Sequence, residues 1–168
     1  MKKILVTGAA GFLGANLVKR LKEDPENQIN ILIHKDKWHP FLDDLDLNIF
    51  YGDIRNREDL EKAMFGCDFV YQIAGVVSYN KKDNEYVYST HIDGVKNILE
   101  VSSKFGVKKV VVTASTAGIG IPEDKDKPLN EENVLDFKKY KNNAYMYSKH
   151  RTIESVSYTH LRAHETVV

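Results

Sequence analysis

The chain has 168 residues, and its 24 Lys+Arg balance 24 Asp+Glu to a formal net charge of zero. That length is enough for one domain with its own core, and the neutral balance gives no general pull towards nucleic acid or an anionic membrane, so neither is expected as a partner. Cys67 is the single cysteine, which excludes an internal disulfide and a cysteine-based zinc cluster; no metal site is expected, and Cys67 reads as a small core residue.

In chain order, Lys3–Thr7 is short, apolar and β-branched and reads as a buried strand. Residues 12–21 read as a helix with Leu13, Leu17, Val18 and Leu21 as its apolar stripe, and Asp24-Pro25 stops it. Ile29–Ile33 and Asn48–Tyr51 are the next strands, the second ending at Gly52-Asp53. Residues 57–65 read as a helix with Gly66 at its C-terminal end. Asp68–Ile73 is a fourth strand, leading into Ala74-Gly75. Residues 84–105 predict one long helix, its stripe formed by Ile92, Val95, Leu99 and Ser102. Lys109–Thr113 is a fifth strand, residues 121–143 a charged loop, and residues 144–154 a last helix. Strands alternating with helices imply parallel βαβ units and a sheet covered on both faces. No stretch approaches the roughly 18 apolar residues of a membrane helix, and the apolar run after Lys2 and Lys3 is too short for a signal peptide. A cytoplasmic location is therefore expected.

The most informative segment runs from Thr7 to Gly14: Thr7, Gly8, Ala9, Ala10, Gly11, Phe12, Leu13, Gly14. It follows a strand and opens a helix, the context in which spaced glycines point to a dinucleotide. Gly8 permits a tight turn, Gly11 lets backbone approach a pyrophosphate, and Gly14 lets helix pack on strand. The unpaired N–H groups at the helix start favour the phosphates. The spacing is Gly-x2-Gly-x2-Gly, which resembles the extended short-chain dehydrogenase/reductase superfamily, also called the NAD-dependent epimerase/dehydratase family. The resemblance covers residues 2 to about 154. It implies an α/β fold with a Rossmann-type doubly wound parallel sheet.

The resemblance extends to further positions. Gly52-Asp53-Ile54 is similar to the element whose Asp and following amide read the adenine; a helix cap or turn is the alternative role for Asp53, and the two roles are compatible. Residues 72–75 are similar to the segment beside the adenine ribose and pyrophosphate, which brings Ala74 and Gly75 into the expected cofactor site. An acidic residue about 20 positions after the last glycine would bind the ribose of NAD. Here His34 and Lys35 end the second strand, which favours NADP; Asp36 keeps NAD open, and the basic pair could also be an exposed strand end without a ligand.

Tyr145-Met-Tyr-Ser-Lys149 is similar to the family's Tyr-x2-Ser-Lys motif. Positions i and i+4 share a helix face, so a phenol and an ammonium would point into one cleft. A phenol loses its proton near pH 10, and lowering that by about 3 units takes roughly 4 kcal/mol, which a neighbouring ammonium helps to supply. The family also uses this lysine to hold the nicotinamide ribose. Tyr147, with Arg151 four residues on, reads as packing or surface. Residues 112–120 are similar to the segment whose hydroxyl polarises the substrate oxygen; Ser115 takes that place, Thr116 is the fallback, and a strand-end cap is the alternative role. The family often has Asn-x2-Gly in the long helix, whereas this chain has His91-Ile-Asp-Gly94; a polar role for His91 and a merely tolerated histidine weigh equally.

The resemblance implies an NAD(P)-dependent oxidoreductase, with a dihydroflavonol-reductase-like branch fitting best and a small carbonyl or alcohol as substrate. A sugar-nucleotide epimerase or dehydratase is the second enzyme reading. A non-catalytic dinucleotide sensor is the reading from another class, although such proteins commonly lack Tyr-x3-Lys. A homodimer through the two long helices is implied by analogy alone. Residues 156–166 break these patterns and resemble a translated sequencing adapter. The expectation is thus a partial dinucleotide-binding domain over 1–155, a non-native tail over 156–168 in which His160, Arg162 and His164 have no function, and an incomplete fold whose substrate lobe is missing and which is inactive by itself.

Overall fold

The computed structural model describes residues 1–130 and 140–163, with side chains up to residue 157. Residues 131–139 of the expected loop, and the side chains of His160, Arg162 and His164, lie outside the described residues. Contacts group into two compact units, Met1–Gly75 with Gly94–Thr113, and Val76–Asp93 with the segment from Ala114 onwards.

The first unit carries a five-stranded sheet in the order β3-β2-β1-β4-β5. Its strands are β1 (Lys2–Thr7), β2 (Asn27–Ile33), β3 (Asn48–Tyr51), β4 (Phe69–Gln72) and β5 (Lys109–Val112). Every pairing is parallel, with Thr7 opposite both Leu32 and Gln72. Three helices belong to it: α1 (Phe12–Leu21), α2 (Arg57–Met64) and α4 (Gly94–Lys104). Val18 and Ala15 of α1 pack with Ile4, Val6, Ile29 and Ile31. Leu60 and Met64 of α2, with Ile98 and Val101 of α4, pack with Leu5, Leu32 and Val70. Alternate residues of β1 thus feed opposite layers, as the period of two in a strand requires. The sheet is doubly wound, as expected.

Several expectations need adjustment. β2 starts at Asn27, because Asn27 and Gln28 pair with Lys2 and Lys3. The central strands β1 and β2 are buried along most of their length, whereas β3 and β5 are largely exposed or half-exposed. Leu13 does not join the apolar stripe of α1 but is 56% exposed, while Gly14 and Ala15 next to it in the first turn are buried. The long helix is three pieces: α3 (Asn84–Tyr88), a π turn at Ser89–Asp93, and α4. Its buried stripe is Val87, Thr90, His91, Gly94, Val95, Ile98, Val101 and Ser102, while Ile92 and Leu99 are half-buried flanks.

Polar groups inside this unit are placed to close helix ends. Asn30 of β2 is fully buried and donates Nδ2 to the Ala63 carbonyl at 2.6 Å, in the last turn of α2 where carbonyls lack helical partners. Cys67 is buried beside it. Burial pushes the Cys67 thiol up to about 11, so it is an inert core group rather than a nucleophile.

The second unit is built on α5 (Ala144–Ala163). α5 packs on α3, on the π turn and on a 3-10 turn at Thr116–Gly118. The helix runs beyond the expected end at Glu154, since no Gly or Pro follows to stop it. Among the described residues, no helix is long and apolar enough to cross a membrane.

Candidate functional site

The first unit supplies the glycine turn. Gly8 takes φ +69°, and a Cβ on it would lie 2.6 Å from the Ala74 nitrogen. At Gly14 a Cβ would run into the Gly8 carbonyl oxygen and lie 2.8 Å from the Ala9 Cα. Gly14 therefore seats α1 on the turn itself rather than on the strand. Gly11 differs: a Cβ there would meet only the Gly8 oxygen, at 3.3 Å. Gly11 is also the N-cap of α1 and has no side chain to cap it, so the first N–H groups of the helix, at Phe12 and Leu13, have no side-chain acceptor. Phe12 is 77% exposed. A cradle open at Gly11, with free amides on its rim, fits a pyrophosphate.

Thr7 is buried, and its hydroxyl is used within the fold. It donates to Gln72 Oε1 and accepts from the amides of Ile73 at 3.2 Å and Ala74 at 3.3 Å. Gln72 in turn donates Nε2 to the Ala74 carbonyl at 2.8 Å. Thr7 thus fixes the turn against the end of β4, and Gln72 is its partner. The one signal for this role in the sequence is a glutamine within an otherwise apolar strand.

Around the turn, Ala74 is half-buried and Gly75 exposed, and His34 and Lys35 are exposed just past β2. Asp53 holds Arg55 through a fork, with Arg55 Nη2 2.6 Å from Oδ2, and its Oδ1 accepts the Arg55 amide at 2.8 Å. Burial alone would raise the Asp53 pKa, but the Arg55 hydrogen bonds and charge, with a smaller contribution from His34, bring it below the ordinary carboxylate value. Asp53 is a turn residue in this arrangement, as the alternative reading allowed. Ile54 is buried, its side chain filling the space a Cβ on Gly94 would need.

The second unit brings the other group together. The Tyr145 hydroxyl stands 3.5 Å from Ser115 Oγ. Ser115 also caps the 3-10 turn by accepting the Ala117 amide at 3.2 Å. Thr116 is exposed, whereas Ser115 is half-buried beside Tyr145. Gly118, unremarked in the sequence, makes this approach possible. A Cβ on it would lie 3.0 Å from the Lys149 carbonyl carbon, and its own oxygen meets His150 Nδ1 at 2.8 Å.

Lys149 is 9% exposed, and burial lowers its pKa from the ordinary 10.5. Tyr147 packs edge-on against Tyr88, and Arg151 pairs with Glu154, so both are packing and surface groups. His91 is 2% exposed and hydrogen-bonded on both ring nitrogens, which assigns it a polar role.

Burial, reinforced by the charge of Lys149, pushes the His91 pKa down to about 4 from 6.5. The unfolded chain then takes up a proton near pH 6.5 that the folded chain refuses until about pH 4. Stability should therefore fall as pH falls through that window, by at most on the order of 3 kcal/mol. Thermal melts across this range check it; a flat melting temperature, or the same slope in His91→Asn, would count against a buried neutral imidazole.

Residues 4–165 match the family described as "NAD dependent epimerase/dehydratase family". The chain belongs to that family. Among curated relatives, "Sterol demethylase protein B" of Methylococcus capsulatus is 33% identical over 117 residues, covering 70% of this chain and 35% of the relative. "Anthocyanidin reductase" of Arabidopsis thaliana is 31% identical over 150 residues, covering 80% of this chain and 43% of the relative. The crystal structure of the Bordetella bronchiseptica enzyme WbmG in complex with NAD superposes with a TM-score of 0.78 at 22% identity, over 93% of this chain and 49% of that one. The chain thus spans between a third and a half of the length of these proteins. Membership of an epimerase/dehydratase family agrees with the Gly-x2-Gly-x2-Gly turn and the Tyr-x2-Ser-Lys motif, and relatives named as reductases agree with the expected branch.

Proposed function

We propose that this chain carries the dinucleotide-binding and proton-transferring parts of an NAD(P)-dependent carbonyl reductase. The observation that carries the reading is the Tyr145 hydroxyl facing Ser115 Oγ, with buried Lys149 one helical turn further along. Ser115 would donate a hydrogen bond to the substrate oxygen. Tyr145 would give that oxygen its proton in reduction and remove it in oxidation. Lys149 would favour the phenolate that remains. The Thr7–Gly14 turn would hold the pyrophosphate, with Phe12 and Leu13 offering amides and Ala74, Gly75, Asp53 and Ile54 bordering the adenosine half. When bound, the nicotinamide supplies or accepts hydride.

NADP is the proposed cofactor, because His34 and Lys35 are exposed where a ribose 2′-phosphate would need cations. Lys35→Ala is expected to weaken NADPH binding by about tenfold and leave NADH binding unchanged; equal losses for both would show that Lys35 does not read the phosphate. NADPH oxidation across ketones and aldehydes tests the activity as a whole. Carbonyl-dependent oxidation supports it, whereas conversion of a nucleotide sugar with no net cofactor turnover would favour an epimerase.

A further inference from the structure

The proton transfer proposed above leaves buried polar groups of the second unit without a task, and they form one chain of hydrogen bonds. His91 sits in the π turn, a helix variant that recurs at functional sites. The Val76 amide donates to His91 Nε2 at 3.1 Å. Nε2 must then be an acceptor, so the ring proton is on Nδ1, which lies 2.8 Å from Ser148 Oγ. Ser148 Oγ thus accepts a hydrogen bond from Nδ1–H and donates its own hydrogen to the Tyr145 carbonyl at 3.0 Å. Thr152 Oγ1 stands 2.9 Å from the His91 carbonyl and 3.1 Å from the Ser148 carbonyl. The His91 and Tyr145 rings meet edge-on, with centroids 5.8 Å apart.

The direction of the His91 and Ser148 donors follows from one fixed amide. The other neutral tautomer would set Nε2–H against the Val76 N–H, donor to donor. An imidazolium would do the same and add a charge next to Lys149. Lys149 and Tyr145 are the titratable groups facing the ring from α5. On the segment after Val76, Asp83 is held by Ser78 at 2.6 Å, and Asp93 of the π turn itself is exposed.

We infer that His91, as the neutral Nδ1–H tautomer, is a positioning residue that ties the Val76 segment to Ser148 of α5 and so sets where the Tyr145 phenol stands. This rests on the function proposed for Tyr145. His91 touches neither substrate nor cofactor in this role; it acts through Ser148. A phenylalanine would fill similar space but leave the Val76 amide and the Ser148 hydroxyl without their partner. An asparagine could accept from one and donate to the other, and should restore part of the order.

The test is nuclear magnetic resonance on the full chain, with His91→Asn assigning the ring signals and Tyr145→Phe assigning the phenol. The expected ring spectrum is a protonated Nδ1 and an unprotonated Nε2 from about pH 8 to about pH 5. An Nε2–H tautomer, or titration near the ordinary histidine value, would overturn the inference. The Tyr145 ring signals should move in His91→Phe and return towards wild type in His91→Asn; unmoved signals in both variants would overturn it. If His91→Phe does not fold, the wild-type tautomer and His91→Asn still decide. In a turnover assay, His91→Phe should lower kcat by about ten- to a hundredfold at unchanged KM for NADPH. If Tyr145→Phe also leaves turnover untouched, the proposed function fails rather than the placement of His91, which the spectra read independently.

Discussion

Replacing Tyr145 by phenylalanine should lower carbonyl reduction by about a hundredfold or more while NADPH binds as before. The magnitude is that of losing a positioned general acid, about 10²–10⁴ in rate. The substitution removes one oxygen from a half-buried ring whose other contacts, edge-on to His91 and to Tyr79, involve the ring alone. The helix and the packing of Met146 and Ser148 beside it need no change. Stopped-flow NADPH oxidation and equilibrium titration of the same preparation separate the two effects. A variant that turns over at the wild-type rate would remove Tyr145 from the mechanism. A variant that loses NADPH affinity in proportion would make Tyr145 a binding residue instead.

The second large effect is expected at Gly14. Alanine there would overlap the Gly8 carbonyl and crowd the Ala9 Cα, both of them backbone atoms that no rotamer change can move away. The turn and α1 must separate, at a cost of several kcal/mol in a domain whose total stability is on the order of 10 kcal/mol. Gly14→Ala is therefore expected to express poorly or melt far below wild type in circular dichroism. A normal melt would show that the turn yields more easily than its geometry allows.

How much of this was readable beforehand depended on how local each cause is. The turn from Thr7 to Gly14 was legible because strand, glycine spacing and helix start lie within a dozen residues and are set by backbone sterics. The alternation of strands and helices was legible for the same reason. The buried stripe of the long helix was legible only in part: Val95 and Ser102 lie in it as expected, but Thr90, His91 and Gly94 occupy it too, and two polar residues and a glycine do not look apolar. The start of β2 was missed because Asn27 and Gln28 enter the strand by pairing with β1, not by their own character. The roles of Ser148 and His91 were hidden by distance along the chain, since 57 residues separate them. Gly118 was invisible because its need for no side chain comes from α5, some thirty positions later. Tyr145 and Lys149, four residues apart on one helix, needed no such knowledge.

Gly11 offers the sharpest test of the dinucleotide reading. Among the glycines of the turn, it alone has no backbone pressed against its missing side chain other than the Gly8 oxygen at 3.3 Å, and its φ of −86° suits any residue. Gly11→Ala should therefore fold and melt close to wild type, with the new methyl group standing where a pyrophosphate must approach the backbone. Calorimetric titration of wild type and Gly11→Ala with NADPH measures the consequence directly. A loss of affinity of about tenfold or more with the melting temperature kept is the predicted result. Equal affinity in the two proteins, or no NADPH binding by the wild type, would contradict the account.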